Sequence, residues 1–225
     1  MLLKPRSMLL KSGGPSRYLV EYFSFTDAAE HRTRPDRTGP DRKQPAIDRK
    51  LLVLDLDETL VHASARQLQR PADTQVVGYH VYKRPYVDDF LDFAFAHFNV
   101  GVWTSSGRLY AEPLVAWLMP GRTLEFLWSS QRCSTARDWE TGGYTSQKRL
   151  AKLKRLGFAL EQMIGIDDTP SKYAKNYGNL IQVREFTGDI DDDELLHLSR
   201  YLDVLRPQPN IRAVEKRRWR ERMME

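Results

Sequence analysis

Leu51-Leu52-Val53-Leu54-Asp55-Leu56-Asp57-Glu58-Thr59 is an apolar run that ends abruptly in carboxylates. Four consecutive aliphatic residues suit a strand buried on both faces, as the strands of a parallel sheet are. Similar runs recur at 99–103 (NVGVW), 163–166 (MIGI) and 180–183 (LIQV), and a further strand is expected near 123–128. Helical patterns lie between them. Within 86–98, Val87, Phe90, Leu91, Ala94 and Phe98 fall on one helix face. The stretches 109–119, 147–155, 171–177 and 192–205 also read as helices; Asp191, Asp192, Asp193 and Glu194 stand at the start of the last, where the helix dipole favours acid. Residues 75–82 alternate and predict a small hairpin or flap. Strands alternating with helices predict an α/β domain around a mostly parallel sheet, with ligands gathering at the carboxyl ends of the strands.

The chemistry sits in the residues directly after each run. After the first come Asp55 and Asp57, which point the same way if the strand continues, with Leu56 turned into the core. After the second come Thr104, Ser105 and Ser106; after the third, Asp167, Asp168, Thr169 and Pro170. Parallel neighbours with these endings bring four carboxylates and a hydroxyl into one crevice, and such crowding calls for a cation. All-oxygen ligands without imidazole or thiolate point to a hard ion, Mg²⁺ before Ca²⁺ or zinc. Lys148, at the start of a helical segment, is placed to balance the charge of a substrate phosphate. Phosphoryl transfer is mainly positioning and charge neutralisation, and these residues suit it. The bland reading of each acidic residue is a solvated turn former; the ordered set of strand endings speaks against that reading.

VLDLDETLVHAS, VWTSS, Lys148 and IGIDDTP resemble the haloacid dehalogenase superfamily, and within it the small phosphatases that act on the carboxy-terminal domain of RNA polymerase II. The resemblance runs from about residue 51 to 205. It implies a Rossmann-like three-layer fold with a small flap and no large cap domain. It also implies Asp55 as nucleophile, forming an aspartyl-phosphate, and Asp57 as the acid and then the base. Thr104 and Lys148 would hold the phosphoryl group beside Ser105, and Thr59 would order the loop. Mg²⁺ would be held by Asp55, the Asp57 carbonyl and Asp168, with Asp167 in support. Two departures stand out. Ser105 replaces the common alanine, and Arg149 follows Lys148 where an acidic residue is usual. Lys152 therefore stands as an alternative to Lys148.

Other residues read blandly. His62 is expected to face solvent or a local partner, Glu58 to anchor a loop, and Arg84-Pro85 to open a helix. Cys133, the single cysteine, has no adjacent histidine; it excludes an internal disulfide framework. Trp103 and Trp128 read as core or rim, while Trp139 stands between groove and loop pin. Between Asp57 and Thr104 lie 46 residues, and between Thr104 and Lys148 lie 43, too few for an independent lid. An open site suits a phosphate on something large. A phosphoserine or phosphothreonine in a protein or peptide is the expected substrate, ahead of nucleic-acid or small-molecule phosphates. The competing readings are a catalytically silent scaffold of this fold, a receiver-type signalling domain and a nucleic-acid binder. Intact Asp55 and Asp57 oppose the first. The motif order opposes the second, and no aromatic-basic recognition motif supports the third.

The chain has 225 residues, 41% hydrophobic and 29% charged, with net charge +5. That charge is not spread evenly. Residues 1–50 carry 11 basic and 6 acidic groups, and 211–225 carry 6 and 3, whereas 51–210 carry 18 and 21. The expected organisation is a basic, proline-rich arm (1–50), a phosphatase-like domain (51–210) and a basic tail (211–225). The arm includes an aromatic stretch, 17–25, able to dock or to stay unstructured. No stretch approaches the roughly 18 apolar residues of a membrane span, and the start has no continuous apolar core of a secretory signal. The expected location is intracellular and cytoplasmic, with the nucleus open for a eukaryotic protein.

Overall fold

The computed structural model describes residues 49–137 and 142–224; the arm up to residue 48, with its aromatic stretch 17–25, and Trp139 lie outside the described residues. In chain order the strands and α-helices are β1 (Leu51–Leu54), β2 (Val61–Ser64), β3 (Thr74–Val76), β4 (Tyr79–Lys83), α1 (Val87–His97), β5 (Asn99–Trp103), α2 (Arg108–Leu118), β6 (Leu127–Trp128), β7 (Ser134–Arg137), β8 (Tyr144–Gln147), β9 (Met163–Asp167), β10 (Leu180–Gln182), α3 (Glu194–Leu205) and α4 (Glu221–Met224).

Five strands form one parallel sheet in the order β10-β9-β1-β5-β6. Leu51 lies opposite both Asn99 and Met163, and Leu54 opposite both Val102 and Ile166. The three middle strands therefore end nearly level, which brings the residues after them to one edge. Side-chain alternation splits the central strand between two cores. Leu52 and Leu54 join Val100, Val102, Ile164 and Ile166 against α1, α2 and α3. Leu51 and Val53 join Trp103 and Met163 in a second core on the other face. The result is three layers around a parallel sheet, as the alternation of elements predicts.

The second face differs from expectation. In place of α-helices over 147–155 and 171–177, short 3₁₀ turns cover it at Leu150–Leu156, Pro170–Tyr173 and Tyr177–Asn179. Gln147 still belongs to β8. Leu150 and Leu153, both in the second core, are spaced three apart, the period of a 3₁₀ turn. Two strand glycines make room here. A Cβ on Gly101 would meet the Phe126 ring at 2.4 Å, and one on Gly165 the Tyr173 ring at 2.4 Å.

The flap is a three-stranded antiparallel sheet, β2-β4-β3, one strand more than the expected hairpin. Its β3–β4 turn places Val77 and Gly78 at φ 49° and 83°, the pair of positive values a tight hairpin turn requires. Neither the flap nor the β7–β8 hairpin forms a separate cap. Residues 211–224, set apart by charge as a tail, pack onto the domain. Ile211 and Trp219 enter the main core. Trp219 stacks on Tyr201 with centroids 5.5 Å apart and donates its Nε1–H to Gln182 O at 2.8 Å. Arg220 pairs with Asp193 and Glu194 at the start of α3, so acidic partners absorb part of the tail's charge. No helix among the described residues is long and apolar enough to cross a membrane.

Candidate active site

Asp55 directly follows β1, and its backbone N–H continues the ladder to Ile166 O at 3.0 Å. Its side chain is buried. Oδ1 accepts from the Leu56 N–H at 2.9 Å and lies 2.9 Å from Lys148 Nζ; Oδ2 accepts from Lys172 Nζ at 2.7 Å. Leu56 is buried, as the alternation requires. Asp57 faces the mouth of the site, where two hydroxyls grip its carboxylate. Tyr110 Oη donates to Oδ1 at 2.6 Å and Ser106 Oγ to Oδ2 at 2.6 Å.

Asp167 ends β9 and is fully buried. Its Oδ2 lies 2.6 Å from Lys148 Nζ, and its Oδ1 accepts from the Thr169 N–H at 2.9 Å while lying 3.2 Å from Lys172 Nζ. Asp168 Oδ2 accepts from Thr169 Oγ1 at 2.9 Å, and Asp168 Oδ1 accepts from Thr59 Oγ1 at 3.5 Å. One oxygen from each of Asp55, Asp167 and Asp168 lies within 4.8 Å of the others. Thr104 is buried after β5; its Oγ1 accepts from the Ser106 N–H at 2.9 Å, which orients the hydroxyl and leaves its proton for a ligand. Ser105 sits further out, 3.5 Å from Ser146 Oγ.

Electrostatics follow from this packing. Burial pushes the Asp55 carboxyl up, but Lys148 and Lys172 together hold it below the usual carboxylate range. Asp167 moves the other way, because burial and the charge of Asp55 outweigh the same two lysines. Glu58, beside the cluster in a left-handed conformation (φ 57°), is pushed up to about 7 by burial and by the charges of Asp57, Asp168 and Glu185.

Lys148, and not Lys152, reaches the carboxylates; Lys152 Nζ donates to Arg132 O at 2.6 Å instead. Arg84 stays out of the site. It is buried and bidentate to Asp192, with Nε–Oδ1 2.7 Å and Nη2–Oδ2 2.8 Å. His62 Nδ1 lies 3.4 Å from Glu58 Oε1. Cys133 Sγ approaches Thr104 O at 3.8 Å. Trp103 and Trp128 pack edge to face in the second core, with centroids 4.8 Å apart.

Two site residues escaped the sequence reading, Lys172 and Tyr110, and Ser106, named after the second run, was given no role there. Lys172 stands four residues after Asp168, and Tyr110 four after Ser106. A single turn after each strand ending returns the side chain to the site, so the signal lies in the turn and not in the strand. A cleft of about 380 Å³ opens beside Asp57, lined by Glu58, Ala63, Tyr79, Ser106, Gly107 and Tyr110.

The model of the NLI interacting factor-like phosphatases matches residues 50–212. The chain belongs to this family. A probable C-terminal domain small phosphatase of Dictyostelium discoideum is 36% identical over 172 residues, covering 73% of this chain and 53% of the relative. A CTD nuclear envelope phosphatase 1 homolog of Caenorhabditis elegans is 32% identical over 187 residues, covering 76% of this chain and 72% of the relative. The chain thus spans about half the length of the first of these relatives. Among solved structures, Fcp1, an essential RNA polymerase II CTD phosphatase, aligns at TM-score 0.49 and 18% identity, over 81% of this chain and 63% of that one. The family match covers the sheet, both aspartates of the first strand ending, the flap, Lys148 and the Asp167-Asp168 pair.

Proposed function

We propose that the protein is a divalent-cation-dependent phosphomonoester hydrolase acting on phosphoserine or phosphothreonine in a protein or peptide, through a phosphoryl group carried on Asp55. The observation that carries this reading is the division of labour between two carboxylates two residues apart. Asp55 is buried and clamped by ammonium groups, while Asp57 stands at the cleft and is held by neutral hydroxyls.

The donor set fits Mg²⁺. Asp55, Asp167 and Asp168 offer only hard carboxylate oxygens, close enough to chelate. Asp55, Asp168 and the Asp57 carbonyl would hold the ion with Asp167 in support, and the bound ion supplies charge neutralisation for the phosphoryl oxygens. The chain's own residues do the rest. An Asp55 oxygen attacks phosphorus as the bond to the substrate oxygen breaks. Asp57 gives its proton to that leaving oxygen, then takes one from the water that cleaves the Asp55 phosphoryl ester, releasing phosphate and restoring Asp55. Lys148 and the Thr104 hydroxyl hold phosphoryl oxygens through both steps. Tyr110 and Ser106 keep the Asp57 carboxyl aimed at the leaving oxygen.

The open cleft and the absence of a cap among the described residues support a substrate presented on a larger chain. So do relatives named as C-terminal domain and CTD phosphatases. A substrate panel tests the reading: p-nitrophenyl phosphate, phosphoserine and phosphothreonine peptides, and a 5′-phosphorylated oligonucleotide, each with Mg²⁺ or with chelator. Turnover is expected on the aryl ester and the peptides and only with Mg²⁺. Preference for the oligonucleotide would move the substrate class to nucleic acid, and no turnover on any substrate would leave a silent scaffold.

A further inference from the structure

Lys172 is a cation of the site that the proposed chemistry does not use. It lies on the 3₁₀ turn Pro170–Tyr173, directly after Asp167, Asp168 and Thr169. The turn carries its side chain back over the strand ends. Lys172 Nζ lies 2.7 Å from Asp55 Oδ2, 3.2 Å from Asp167 Oδ1 and 3.6 Å from Asp168 Oδ1. Those are the three carboxylates that form the chelating set. Lys148 differs. Among the described residues its Nζ pairs with Asp55 and Asp167, and its side chain has no exposure, whereas that of Lys172 is 17% exposed. Lys148 is built in; Lys172 has a way out to solvent.

We propose that Lys172 is a resident counter-cation that competes with the divalent ion for the Asp55, Asp167 and Asp168 carboxylates and withdraws toward solvent when the ion binds. The proposal rests on the phosphatase reading only in requiring that a divalent ion binds there. Three carboxylates packed this closely repel one another, and the two ammonium groups offset most of that charge. An ion held by the same oxygens would stand against the Lys172 ammonium, and like charges a few ångströms apart in a partly dry site repel strongly. That ammonium is held by ion-pair contacts to Asp55 and Asp167 and has to move aside before those oxygens can turn to an ion. Metal affinity is lowered in consequence, because the ion must displace the ammonium before it can share those oxygens.

The test measures Mg²⁺ binding to the full chain by calorimetry, without substrate, for wild type, Lys172→Gln, Lys172→Arg and a control at the exposed Lys175, Lys175→Ala. Lys172→Gln is expected to lower the apparent Kd about tenfold or more, the scale of removing one adjacent like charge. Lys172→Arg and Lys175→Ala should stay close to wild type. Should Lys172→Gln fail to fold, the wild type alone decides by amine acylation read by peptide mass spectrometry. Lys172 should label slowly without metal and several-fold faster with saturating Mg²⁺, while Lys148 stays protected in both. An unchanged Kd in Lys172→Gln, or Mg²⁺ shielding Lys172 further, overturns the proposal and leaves the phosphatase reading standing. Absence of any Mg²⁺ binding by wild type overturns both.

Discussion

Two kinds of environment in this fold take lysines out of water, and they do so with different partners. At the carboxyl edge of the sheet, Lys148 and Lys172 point their ammonium groups at Asp55 and Asp167. At the other end of β1 and in the C-terminal segment, Lys50 and Lys216 donate to backbone carbonyls: Lys50 to Arg206 O at 2.8 Å, Lys216 to Ile211 O and Val214 O at 2.6 Å each. The consequences have opposite sign. Carboxylates raise the pKa of Lys172 despite burial. With carbonyl partners burial prevails, lowering Lys50 and bringing Lys216 down to about 8. Neutral acceptors can close off a chain end, but only charged ones hold a lysine firmly cationic in a dry site. The first environment, where carboxylates outnumber ammonium groups, is suited to taking up a further cation, the second to fastening the C-terminal segment.

The largest break in this comparison is expected at Lys148. Lys148→Met leaves Asp55 and Asp167 buried with a single cation between them. Removing one member of a buried ion cluster costs about 3–5 kcal/mol. Urea unfolding of the metal-free protein should register a loss on that scale; a loss below about 1 kcal/mol would contradict a buried charge cluster.

A medium effect is expected at Asp57, whose partners are neutral hydroxyls. Tyr110→Phe and Ser106→Ala keep Asp57 but loosen its aim. Proton donation matters for an alkoxide leaving group and little for p-nitrophenolate. Turnover of a phosphoserine peptide should fall about tenfold to a hundredfold, within the range of general-acid catalysis, with p-nitrophenyl phosphate nearly unchanged. Equal losses on both substrates would make the two hydroxyls structural only.

The smallest effect is a pH trend from Lys216. Its folded pKa of about 8 lies below the ordinary 10.5, so between those values the unfolded chain binds more protons than the native one. Stability then rises with pH across that window, and below it the buried charge weighs against folding. Lys216→Met should flatten that rise in denaturation measured from pH 7 to 10. A slope identical to wild type would remove Lys216 as its source.

The same contrast separates what the amino-acid sequence makes legible from what it hides. Runs such as 51–54 and 163–166 announce buried parallel strands because both faces are apolar, and strands that end level place Asp55, Thr104 and Asp167 together. Lys172 is illegible because 171–177 reads as a helix, whereas its 3₁₀ turn aims the lysine back at the preceding aspartates. The tail misleads through its charge. Arginines dominate residues 211–225, yet Ile211 and Trp219 enter the core and Arg220 meets Asp193 and Glu194 across the fold. A pairing between distant segments leaves no local pattern.

The proposed chemistry turns on Asp55 carrying the phosphoryl group. Acid quenching during turnover of a ³²P-labelled phosphopeptide with Mg²⁺, followed by peptide mapping, tests it most directly. Label on the peptide containing Asp55, absent in Asp55→Asn, is the predicted result; label on another residue, or turnover retained in Asp55→Asn, would contradict it.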